Sequence, residues 1–220
     1  MKLKQKNSPE QLWVEGPNDL HVIATTWQES RKEDPRNHFF IQESGGGYTN
    51  LRKILPTILT PDKPGPVGMV VDADQSFADR WQSMRERLIE IGYQVPPEMD
   101  PAGLVIAHDD LPRVGLWIWP NNQDAGLLED YLRVLIPAHD TLLPEVESCL
   151  THLKQGGLQR FPDIRVPKAL IHTWLAWQEV PGSPYGIAIK SSYLDTSHPL
   201  SQGLIAWLNH LFNPSDSPAV

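Results

Sequence analysis

The sequence predicts an α/β domain built on a doubly wound, mainly parallel sheet, with helices on both faces and a helical C-terminal part. Three observations carry that prediction. Short apolar runs alternate with helical-period segments three times between Leu12 and Ile91. Two of the runs stop abruptly at acids, Leu12-Trp13-Val14 at Glu15 and Val67-Gly68-Met69-Val70-Val71 at Asp72. The second run shows no polar alternation, which suits a strand buried on both faces, as in a parallel sheet. Strand-then-helix repetition of this kind marks a sheet crossed over by helices.

Taken in order, Leu12-Trp13-Val14 reads as a strand and Glu15-Gly16 as a tight turn. Leu20, Ile23, Ala24 and Trp27 then recur at helical spacing, up to about Lys32. Pro17 suits the first helical position, where a missing N–H costs nothing. Residues 38–42 form a second strand, followed by the triple glycine Gly45-Gly46-Gly47 and a helix marked by Leu51, Ile54, Leu55 and Ile58, which Pro61 closes. The third strand, residues 67–71, leads through Asp72-Ala73-Asp74 into a helix carrying Phe77, Trp81, Met84, Leu88 and Ile91. Residues 103–107 and 114–119 read as two strands joined at 108–113, a hairpin-like pair that makes the sheet mixed. Leu127, Leu128, Tyr131, Leu132 and Leu135 mark one later helix; Val146, Cys149, Leu150 and Leu153 mark another, with Cys149 in its core stripe. Residues 168–177, a packed helix that includes His172 and Trp174, and residues 200–212 complete the helical part. One domain over 10–212 is expected, with flexible ends at 1–9 and 213–220.

Composition narrows the function classes. A chain of 220 residues can bury a real core. The first nine residues lack the apolar stretch of a secretory signal. No run reaches the roughly 18 apolar residues of a membrane span. The single cysteine excludes an internal disulfide and a cysteine-rich zinc site. A cytoplasmic protein with no membrane partner is expected. The net charge of -8 argues against gripping nucleic acid through a general basic surface. It leaves room for an enzyme whose acids hold a divalent ion that attracts phosphate.

The acids are the chemically informative residues. Glu15 and Asp19 flank the first strand-to-helix turn, and Asp72 and Asp74 end the buried strand. Ligands of an open parallel sheet bind just beyond the carboxyl ends of its strands, so both groups are expected at one edge. Carboxylates brought together repel and raise one another's pKa unless a positive charge intervenes. A hard divalent cation that prefers oxygen, Mg²⁺ or Mn²⁺, answers that need and also takes phosphate oxygens. In an extended segment, residues two apart point the same way, so Asp72 and Asp74 are expected to face one ion together. The triple glycine lacks the Gly-x-x-x-x-Gly-Lys-Ser/Thr pattern and reads as a turn beside the site. His108, Asp109 and Asp110 fit a polar hairpin turn better than a metal cluster. No Gly-x-Ser-x-Gly elbow is present.

At these residues the chain resembles the Toprim family. Val14-Glu15-Gly16-Pro17-Asn18-Asp19 is similar to its first motif, and Val70-Val71-Asp72-Ala73-Asp74 to its second. Arg80-Trp81, Trp117-Ile118-Trp119-Pro120-Asn121 and Gly126-Leu127-Leu128-Glu129-Asp130 resemble further segments of stand-alone bacterial Toprim-like proteins of unknown function. The resemblance spans about residues 10 to 212. It implies a Toprim-like fold, with Glu15 as metal ligand or general acid/base and Asp72 and Asp74 holding Mg²⁺. By likeness to nucleases of the overcoming-lysogenization-defect group, Asp19 would be a further ligand and Glu129 would serve a second metal. Lys168 would stand near the scissile phosphate as a catalytic residue. The implied activity is Mg²⁺-dependent cleavage or transfer at a phosphodiester, with nucleic acid as substrate. The alternative is a non-catalytic module that binds metal or nucleotide and works with a separate ATPase. A haloacid-dehalogenase phosphatase is set aside, because its Asp-x-Asp ends the first strand and this one ends the third.

Overall fold

The computed structural model describes residues 9–63 and 65–213. The expected flexible ends lie outside the described residues, Pro9 and Asn213 excepted. Three strand–helix units open the chain: β1 (Gln11–Val14) and α1 (Pro17–Arg31), β2 (Phe40–Glu43) and α2 (Gly47–Ile58), β3 (Val67–Asp72) and α3 (Phe77–Ile91). β4 (Leu104–Ile106) and β5 (Val114–Trp119) follow. The C-terminal part holds α4 (Leu128–Val134), α5 (Leu142–Gln155), α6 (Val166–Ala176), α7 (Tyr185–Lys190) and α8 (Pro199–Phe212).

The sheet has the order β2-β1-β3-β5-β4. β1, β2, β3 and β5 run parallel, and β4 pairs antiparallel with β5 at the edge. Alternate residues of the inner strands supply two cores. Leu12, Val14, Val70, Trp117 and Trp119 face the side covered by α1, α4, α6, α7 and α8. Met69, Val71, Leu116 and Ile118 face the side of α2 and α3, against Leu51, Leu55, Met84 and Leu88. Both faces of β3 are therefore dry, which is why its sequence is apolar without alternation. The protein is thus an α/β fold with a mixed, mostly parallel sheet and a helical C-terminal part.

One close approach sets the height of α8 above the sheet. Gly68 and Gly115 are register partners on β3 and β5. A Cβ on Gly68 would fall 2.9 Å from Leu211, and one on Gly115 2.6 Å from it. The missing side chains let the last turns of α8 sit directly on the strands. Trp207 of the same helix donates its indole N–H to the carbonyl of Leu104, 3.0 Å away.

One expectation needs correction, and three short elements were not anticipated. Cys149 is exposed, since α5 buries only Val146 fully and nothing covers its outer side. His172 and Trp174 do lie on a packed helix, α6, with Trp174 buried in the core and His172 on its exposed side. The short helix α7 and two 3-10 turns, Pro35–Asn37 and Asp163–Arg165, were not anticipated. The 108–111 segment is the polar turn that was expected: His108 Nδ1 accepts from the N–H groups of Asp110 and Leu111. Among the described residues, no helix is long and apolar enough to cross a membrane.

Candidate functional site at the carboxyl edge of the sheet

Parallel pairing of β1 with β3 brings their carboxyl ends side by side, so the acids that follow each strand meet. Glu15 bridges two elements. Its Oε1 accepts from the N–H of Asp72 at 2.9 Å, and its Oε2 accepts from the N–H of Tyr48 at 3.0 Å, in the first turn of α2. Gly47, at φ 63°, lies so near that an added Cβ would stand 3.6 Å from Oε2. The triple glycine is therefore a turn that delivers a helix start to Glu15.

Asp19 and Asp72 complete the inner group. Asp19 closes the first turn of α1, accepting from the N–H of Gly16 at 3.2 Å. Its other oxygen accepts the indole N–H of Trp119 at 2.8 Å. Asp72 Oδ1 accepts from the N–H of Leu128 at 2.9 Å, at the start of α4. The starts of α1, α2 and α4 thus converge on this edge, and helix N-termini favour negative charge.

That support does not offset burial. Desolvation, and then the charges of Asp19 and Glu15, raises Asp72 well above the ordinary carboxyl range, against the Leu128 N–H. Desolvation pushes Asp19 up to about 6, with Trp119 opposing and Glu15 adding to the rise. Glu15 is raised too, chiefly by burial, with the Asp72 N–H and Arg80 working against it.

Asp74 differs from the other three. The chain turns left-handed there (φ 55°), and its backbone forms an isolated antiparallel bridge with Gly126. The expectation of an extended Asp-x-Asp therefore fails, because side-chain alternation ends where the backbone leaves the extended region. The Asp74 carboxylate pairs with the Arg80 guanidinium, which lies 3.5 Å from the centre of the Tyr48 ring. A cleft of about 460 Å³ opens here, lined by Tyr48, Asp74, Gln75, Ser76, Arg80 and Ser83 among others.

Glu129 and Lys168 form a neighbouring pair. Glu129, in the first turn of α4, is buried and accepts from the Tyr185 hydroxyl at 3.0 Å. Lys168 Nζ lies 3.6 Å from the same carboxylate, and His172 Nε2 lies 3.1 Å from the Tyr185 oxygen. Glu129 reaches the inner group through its charge, which raises Asp72.

Four contributors went unread as site residues. Tyr48, Trp119 and Tyr185 carry no local signal of a role, since each acts on an acid far away in sequence. Arg80 was visible only as part of a family pattern, although its position in the first turns of α3 after Asp74 is a readable cue.

Among the described residues, no group of three or more His, Cys, Asp and Glu side chains is placed so that it could hold a metal ion. Both oxygens of Glu15 and of Asp19 and one oxygen of Asp72 accept from N–H groups, and Asp74 is turned toward Arg80. The donor chemistry nevertheless suits a hard cation. All four side chains offer oxygen, the ligand atom such an ion prefers, and burial first, with charge repulsion after it, raises the carboxyls of Glu15, Asp19 and Asp72.

Fold and site together define an α/β protein with a partly buried acidic edge beyond its parallel strands. The chain belongs to the family described as "Protein of unknown function (DUF3226)", whose pattern matches residues 9–213. No curated protein and no solved structure matches it.

Proposed function

We propose that this protein is a Toprim-like, Mg²⁺- or Mn²⁺-dependent phosphodiester-cleaving or phosphoryl-transfer enzyme that acts on nucleic acid in the cytoplasm. The observation that carries the reading is the meeting of buried Asp19 with the half-buried Glu15 and Asp72, where desolvation first and then the charges of Asp19 and Glu15 raise Asp72. A structural role alone gives no reason to gather like charges where water is scarce. A divalent ion, when bound, supplies charge neutralisation at the phosphate and acidifies an attacking water. Asp72, Asp74, Asp19 and Glu15 are the residues that would hold it, and Glu129 would hold a second. Glu15, raised yet gripped by two N–H groups, is suited to take and return a proton. Lys168, beside Glu129, offers a cation to the departing side of the phosphate.

The test is incubation of the purified protein with plasmid, single-stranded DNA and structured RNA, with Mg²⁺ or Mn²⁺. Asp72→Ala should lower the cleavage rate by about a hundredfold or more, the scale of losing a catalytic electrostatic contact. Asp109→Ala, in the exposed turn, should cleave like wild type. Equal loss in both variants moves the site elsewhere, and no cleavage of any substrate removes the nuclease reading. The engagement of all four acids by protein donors favours one second reading, a non-catalytic module that works with a separate ATPase.

A further inference from the structure

We propose that Arg80 is a phosphate-recognition residue held in reserve by Asp74, and that the cleft beside the Asp72-Ala73-Asp74 turn receives a phosphate group of the substrate. The inference builds on the phosphoryl-transfer reading and adds the group that grips the substrate. Two features of Arg80 support it. Its side chain is only 10% exposed although it lines an open cleft, whereas its partner Asp74 is 51% exposed. Its guanidinium lies over the Tyr48 ring, and the Tyr48 hydroxyl is anchored on Ser83 Oγ at 2.6 Å. A guanidinium stacked in this way is pre-organised, and its planar fork matches two phosphate oxygens.

Stability gives a poor reason for the arrangement. A pair with one half-exposed partner contributes little in water. Arg80 also gives up much of its hydration to lie on Tyr48. The cleft wall adds neutral donors, the Ser83 hydroxyl and the Gln75 amide. It also holds two acids, Asp74 and Asp79, against the single cation Arg80. While Asp74 is charged and paired, the cleft repels phosphate and Arg80 is occupied. Neutralising Asp74, by a cation or by substitution, releases the guanidinium into the cleft. Phosphate binding is therefore conditional on the state of Asp74.

The experiment uses neither metal nor turnover. Binding of inorganic pyrophosphate, and separately of a short single-stranded oligonucleotide with hydroxyl ends, is measured by calorimetry in chelator at low salt. Wild type is compared with Asp74→Asn, Arg80→Gln and the double variant. Asp74→Asn should bind at least about tenfold tighter than wild type, the scale of removing a like charge from an anion site. The double variant should lose that gain. Gain with both probes assigns the site to internal phosphodiesters, and gain with pyrophosphate alone assigns it to terminal phosphates; either supports the proposal. No gain in Asp74→Asn, or a gain that survives in the double variant, overturns it. Should Arg80→Gln fail to fold, Arg80→Lys replaces it; Lys keeps the charge but loses the fork, and most of the gain should still vanish. Arg80-dependent binding without nuclease activity would sink the catalytic reading alone. Cleavage without such binding would sink this proposal alone.

Discussion

Asp72 ends the central strand with one oxygen on the first turn of α4 and the charges of Asp19 and Glu15 nearby. Its folded pKa lies above its unfolded one. The stability it contributes is therefore complete below the unfolded pKa and is lost as pH rises through the folded value. The same holds for Asp19, between its ordinary 3.8 and about 6. That displacement corresponds to on the order of 3 kcal/mol lost across the window. Asp72→Asn keeps an oxygen for the Leu128 N–H and removes the charge. In chelator it should melt higher than wild type, and its advantage in denaturant unfolding should widen as pH rises above the ordinary carboxyl range. An advantage that shrinks with rising pH, or a variant that melts lower throughout, would make Asp72 a structural acid.

At the scale of the element, α8 rests on a pair of glycines where β-branched residues are the ordinary choice for a strand. Alanine in place of glycine usually favours a strand slightly, by about 0.5–1 kcal/mol through unfolded-chain entropy. At Gly115 the sign should reverse. The new Cβ would stand 2.6 Å from Leu211 and 3.1 Å from Trp207, both essentially buried and unable to swing aside. Gly115→Ala should therefore destabilise by about 1–3 kcal/mol, the usual cost of overpacking. Urea unfolding would register it as a lower midpoint at an unchanged slope. A midpoint equal to or above that of wild type would mean that α8 moves off the sheet at little cost.

For the whole molecule, the acidic edge adds its own repulsion to a net charge of -8. An ion that binds only the folded state stabilises it by mass action, about 2.7 kcal/mol at a hundred times the dissociation constant. At about 2–4 °C per kcal/mol for a chain of this size, wild type should melt some 5–10 °C higher in saturating Mg²⁺ or Mn²⁺ than in chelator. Asp72→Asn should respond far less. Identical melts with and without either ion, in both proteins, would leave the acids without a cation to serve.

The strand–helix alternation, the buried character of β3, the antiparallel β4–β5 pair and the placing of acids after β1 and β3 were legible in the sequence. Each is written in residues that are neighbours along the chain, through hydrophobic period and abrupt stops. Periodicity alone passes over Glu129 and Lys168, which the structure places 3.6 Å apart. Tertiary structure decided what each acid touches. Glu15 meets Tyr48 and Asp72 across 33 and 57 residues, and Asp19 meets Trp119 across 100. Such pairs depend on the packing of whole elements, and no local pattern specifies them. The left-handed turn at Asp74 comes from its bridge to Gly126, a contact between distant segments, and it ended the simple alternation argument. Cys149 carries the same lesson at the surface. Its apolar stripe was real, but whether a stripe is buried depends on what lies beyond it, and at Cys149 the stripe lies exposed.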